Sequence, residues 1–211
     1  MKTDDLIRAL AADTVRRPDL RTTLMIGLLP ALGVAALAVW LSLGFRADLA
    51  TALVTPVSVA RILLTGVLGI AASRLVLLLA RPEGGQTTRF WPLAAVAAAA
   101  LGLLVWAYVT TPEEARQMAT VGKTMTTCLI TIPLLSILPV GVLHYTLRQG
   151  AVTAPLRAGF VAGLAGSGLS AAIYALHCTE DSPLFYVTWY GLAIAGVTLV
   201  STLIGTRSLR W

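Results

Sequence analysis

After its first twenty-two residues the chain alternates between long apolar runs and short polar breaks. Six runs fall at about 23–44, 59–80, 91–110, 125–147, 158–176 and 184–205. Each is close to the ~20 residues that carry a helix across the hydrocarbon of a bilayer. The pattern predicts an all-α membrane protein: a six-transmembrane-helix bundle over 23–206, preceded by a separate segment at 1–22 and followed by a tail at 207–211. The third run contains Ala94, Ala95 and Ala97 to Ala100, and its narrowness predicts a place inside the bundle. The fourth contains Pro133 and Pro139, which should bend it and free carbonyls for neighbouring groups to satisfy. In the fifth, Gly159, Gly163, Gly166 and Ser170 recur at intervals of four, three and four. That spacing predicts one small-residue face against which a neighbouring backbone approaches closely.

The first segment follows a different pattern. Thr3 can cap a helix, and Asp4 and Asp5 then sit in its first turn, where the helix dipole favours them. Leu6, Ile7 and Leu10 form one apolar face, roughly continued by Val15. Arg8, Asp13, Arg16 and Arg17 keep the remainder polar, and Pro18 ends the helix. The narrow apolar face and acidic opening fit a protein partner better than an anionic lipid surface. No apolar leader precedes this segment, so no cleavable signal is expected.

Composition strengthens the membrane assignment. Charged residues are 12% and hydrophobic residues 57% of the 211, with a mean hydropathy of +0.82, whereas a soluble domain carries about twice that charge. Basic residues mark the orientation. Eleven lie in the N-terminal segment, the second and fourth connections and the tail, against three (Arg46, Arg116 and Lys123) in the other connections. The asymmetry predicts that both termini lie in the cytoplasm. The net charge of +6 then reflects span ends, and no nucleic-acid contact is expected. Arg61 and Arg74 fall inside the second run, where snorkelling to the nearer interface is the ordinary expectation.

Orientation gives the two cysteines a common side. Cys178 lies in the fifth connection, beside His177, and Cys128 about one turn into the fourth span, three residues after Met125. Two thiolates with an imidazole or a thioether suit soft or borderline metals such as copper, zinc or cadmium. The same thiols could form a disulfide in an oxidising compartment, or could simply pack. His144, near the inner end of the fourth span, is expected at the interface. The chain has no nucleophile elbow, no His-Glu-x-x-His and no phosphate-binding loop, so no enzyme is expected. No acidic residue falls inside a span, which weighs against ion-coupled transport.

Three features together resemble the NrsF-type family, six-span negative regulators of an extracytoplasmic-function sigma factor. They are Thr3-Asp4-Asp5-Leu6-Ile7 with Leu10-Ala11, the glycine-rich fifth span, and Tyr174 to Pro183 through Trp189-Tyr190. Gly44 to Leu49 also resembles the family's first outer connection. The resemblance implies a cytoplasmic N-terminal segment that holds the sigma factor, and the helix pattern then offers Leu6, Ile7 and Leu10 as apolar anchors with Asp4 and Asp5 as charge partners. It also implies that Cys128 and Cys178 respond to metal or redox stress, with no cofactor required. The protein is thus expected in the bacterial inner membrane, partnered by the sigma factor and the bilayer. A small metal transporter or channel is the alternative, and a membrane thiol oxidoreductase a weaker third, since no Cys-x-x-Cys pair is present.

Overall fold

A computed structural model describes residues 19–87 and 89–210, together with Thr3, Asp5 and Ile7. Those last three are helical and exposed. Asp4, Leu6 and Leu10, also expected at the partner site, lie outside the described residues. In chain order the described elements are α1 (Leu20–Ser42), α2 (Leu49–Ala52), α3 (Pro56–Leu79), α4 (Gly84–Thr87), α5 (Trp91–Thr110), α6 (Glu113–Val121), α7 (Met125–Arg148), α8 (Pro155–Tyr174) and α9 (Pro183–Ser208). No strand occurs among them. Six helices, α1, α3, α5, α7, α8 and α9, are long and apolar enough to cross a membrane. Their ends lie within three residues of the runs read from the sequence.

Local chemistry explains the boundaries. Proline opens α3, α5, α8 and α9 within the first two positions, where its missing N–H costs nothing. Pro30, Pro133 and Pro139 lie inside α1 and α7, which continue through them as membrane helices can. The short α6 was not separated by hydropathy. Glu113 and Glu114 occupy its first turn, where the dipole favours them, and Gly122 then turns the chain into α7 with a φ of 59°.

The centre of the bundle is α8. It packs against α3, α7, α9 and α1, and its buried residues include Ala158, Gly159, Ala162, Gly163, Gly166, Ser167 and Ser170. The predicted face meets two neighbours where one was expected, and Gly168, outside that face, meets a third. A Cβ on Gly163 would lie 2.6 Å from the Thr198 Cα of α9, one on Gly166 3.0 Å from the Val140 N of α7, and one on Gly168 2.9 Å from the Gly69 N of α3. Three neighbours therefore approach α8 at backbone distance.

The alanine-rich α5 corrects the expectation of an interior third span. It packs chiefly on α3 and α9, and its buried residues are only Leu93 and Ala107. Alanine buries little area and still holds neighbours off by a methyl, so the glycines of α8 win the centre. Around the bundle Leu29, Leu41, Trp106, Val109, Ile137, Leu199 and Leu203 are exposed, an exterior suited to hydrocarbon.

Candidate functional site

Both cysteines are free, fully buried and part of one cluster at the end of the bundle where α7 begins and α8 meets α9. Cys128 lies in the first turn of α7, and Cys178 in the connection between α8 and α9. Thr124 links them: its carbonyl accepts the Cys128 N–H at 3.0 Å, and its hydroxyl lies 3.9 Å from the Cys178 Sγ. Ile132, Ala171, Tyr174, Phe185, Tyr186 and Tyr190 are among the other members of the cluster, with Met125 packed at its margin. Tyr174 stands between the rings of Tyr190 and His177, with centroid distances of 5.7 and 5.8 Å.

The two histidines are placed differently. The His177 Nδ1 donates to the Gly44 carbonyl at 2.8 Å, which leaves Nε2 as the nitrogen able to bind a ligand. Among the described residues, no group of three or more His, Cys, Asp or Glu side chains gathers where it could hold a metal ion. His144 is buried among the helices near the other end of the bundle, 2.9 Å from the Ser201 Oγ, and Ser201 donates in turn to the Gly159 carbonyl at 2.7 Å.

A polar cap covers the thiols. Arg46 sits in the connection from α1 to α2, and its guanidinium spans two carboxylates. It donates to Asp48 at 2.7 and 2.8 Å and to Asp181 at 2.9 and 3.0 Å, and reaches the Cys178 carbonyl at 3.3 Å. Ser58, in the first turn of α3, donates to Asp181 at 2.7 Å. Hydrogen bonds to Asp48 and Asp181 hold the Arg46 guanidinium charged far above its usual range. Burial raises Asp181, but hydrogen bonds from Arg46 and Ser58 and the charges of Arg61 and Arg46 outweigh it, so its carboxyl titrates below the usual range. Asp48 is lowered too, chiefly by its hydrogen bond from Arg46.

Arg61 corrects the snorkelling expectation. It is fully buried and turned inward, its Nη1 donating to the Glu180 carbonyl at 2.6 Å and its Nη2 to Cys178 and Ala175 at 3.0 and 3.2 Å. It also lies 3.4 Å from the Asp181 carboxylate. The segment 175–182 has left one helix and not begun the next, so its carbonyls need donors, and a cation inside the bundle supplies them. Arg74 is exposed on the side of α3. Nothing in the sequence pattern groups Arg46, Asp48, Ser58, Arg61 and Asp181. The available clue was charge: a buried arginine one and a half turns into a span needs acceptors, and the helix-free stretch at 175–182 offers them.

From the other side, Glu180 accepts the Lys123 N–H at 2.8 Å, and Trp189 donates to the Thr120 carbonyl at 2.6 Å. The Cys178 segment is thus tied to α3, to the first connection and to the connection between α6 and α7.

Known proteins match the chain over its length. The family described as "Negative regulator of sigma F", NrsF, matches residues 9–211. The anti-sigma-F factor NrsF of Caulobacter vibrioides is 36% identical, with all of both chains covered. The probable anti-sigma-F factor NrsF of Azospira oryzae is 32% identical, again over the whole of both chains. No solved structure gives a significant match.

Proposed function

The chain belongs to the NrsF family, the negative regulators of sigma F, and from that premise we propose that it is a membrane-bound anti-sigma factor acting on a sigma factor of the extracytoplasmic-function class. In this proposal the bundle sits in the bacterial inner membrane with both termini in the cytoplasm, as the eleven-to-three basic asymmetry favours. The N-terminal segment captures the sigma factor, with Leu6, Ile7 and Leu10 as apolar anchors and Asp4 and Asp5 facing basic sigma surface.

The thiol end then faces outward and senses stress. Support comes from the packing: two cysteines fifty positions apart share one buried cluster beside Thr124. Bridging them, by a disulfide or by a thiophilic metal ion held between thiolates, requires the cluster and its cap to repack. A metal would draw further donors from His177 Nε2 or the Met125 thioether. Such a signal shifts the protein only because it binds one arrangement better than the other.

A transporter or channel gains no support from the interior hydroxyls. Thr65, Ser136, Thr146 and Ser167 donate to carbonyls of their own helices and mark no polar path.

Co-purification tests the assignment. A sigma factor of this class from the same organism should be retained on membranes carrying the chain. Leu6→Ala with Leu10→Ala should lose it while the variant remains membrane-inserted. Failure of the intact chain to retain any such sigma factor would overturn the proposal.

A further inference from the structure

We propose that Arg61 is a positioning residue that couples the Cys178 segment to the opposite end of the bundle, with α3 as the connecting rod. The proposal rests on the thiol-sensing function above, and extends it to how a change at the thiols travels.

The outer joint is the Arg61 guanidinium. Its two terminal nitrogens serve the carbonyls of Ala175, Cys178 and Glu180, and Nη2 also lies 3.4 Å from Asp181. Nε has no partner, so every paired donor of this buried cation points into one seven-residue stretch. Among the described residues, no backbone N–H donates to those three carbonyls. Cation and segment depend on each other. Displacing the Cys178 peptide strands a buried charge together with the Ala175 and Glu180 carbonyls, a state that relaxes if α3 follows.

The other joint lies past the far end of α3. The Ala80 carbonyl accepts the Ala151 N–H at 2.8 Å, the Pro82 carbonyl accepts the Thr153 hydroxyl at 3.0 Å, and the Gly85 carbonyl accepts from Arg157 at 2.8 Å. The connection between α7 and α8 is therefore fastened to α3. Between the joints α3 meets α8 at Gly69 and Gly168, where a Cβ on Gly168 would lie 2.9 Å from the Gly69 N. A Cβ on Gly69 would lie 2.6 Å from the Leu169 Cγ, so Leu169 seats over Gly69 and the two helices interlock and shift together there. Displacement of the Cys178 peptide thus reaches the Ala151 connection at the cytoplasmic side.

Epistasis between Arg61 and Cys178 tests this. Arg61→Met keeps the length of the side chain and removes the grip, while Asp181 retains both its hydrogen bonds from Arg46. The readouts are sigma factor retained on membranes with and without cadmium, membrane abundance of the variant, and the number of thiols open to alkylation after denaturation. Arg61→Met should lose most of the retained sigma factor without stress, at wild-type abundance and with both thiols reduced. Arg61→Lys should restore retention in part. Arg61→Met with Cys178→Ser should still release, because Arg61 acts after the thiol.

Arg61→Met that holds the sigma factor and releases it on cadmium like wild type would overturn the proposal. So would a double variant that regains retention. If Arg61→Met fails to accumulate, Arg61→Lys decides: partial release without stress supports the coupling, and wild-type behaviour sinks it. Cys178→Ser alone separates the two ideas. A wild-type cadmium response in that variant overturns thiol sensing itself, whatever Arg61 does.

Discussion

Asp181 is the carboxylate on which the thiol end converges, taking hydrogen bonds from Arg46 and Ser58 and the charge of Arg61. Its folded carboxyl titrates below the usual range, and so does that of Asp48. A lowered carboxylate adds stability that is complete above its unfolded value, ~3.9, and is lost as pH falls through the lower folded value. Arg46 is raised, so its contribution persists through neutral and alkaline pH. Thermal unfolding in detergent should therefore be flat from about pH 7 to pH 5 with respect to these groups and fall below about pH 4. Asp181→Asn should lower stability at pH 7 and shallow that acid limb. An unchanged limb would mean that the cap contributes no folding stability. Arg61 shows what the sequence conceals at this level. A lone arginine near a span end is ordinarily a snorkelling residue, and only the position of three helix-free carbonyls beneath it reveals the burial. Sequence order supplies no such position, since those carbonyls lie more than a hundred residues away.

Among the helices, α8 and α5 were both legible as small-residue spans but not in their roles. The spacing of Gly159, Gly163 and Gly166 foretold close packing; Gly168 and the division of contacts among α3, α7 and α9 did not follow from it. Alanine richness in α5 pointed inward, whereas competition for the centre is decided by how near a second backbone can come. Glycine substitutions separate these cases. A Cβ on Gly163 would lie 2.6 Å from the Thr198 Cα, which is backbone and cannot swing aside, whereas one on Gly196 meets nothing within 4 Å. Gly163→Ala should cost about 1–3 kcal/mol through overpacking. Gly196→Ala should be neutral or gain up to ~1 kcal/mol from helix propensity. Thermal unfolding of the two variants side by side checks the contrast, and an equally stable Gly163→Ala would mean that α8 and α9 do not approach so closely.

The bundle as a unit was readable because six apolar runs separated by polar breaks have few other solutions. Proline opens α3 and α8 three residues before the runs read from hydropathy at 59 and 158. The site was half readable. Cys128 and Cys178 could be assigned to one end of the bundle by counting spans, but their shared cluster arises from α8 lying between α7 and α9, a packing fact. The central claim is that this protein holds a sigma factor and lets it go when those two thiols are bridged. Membranes carrying wild type, Cys128→Ser or Cys178→Ser should be loaded with the sigma factor and exposed to cadmium or a thiol oxidant, and the bound fraction measured. Wild type should release it while both variants keep it bound; release from all three alike would contradict the account.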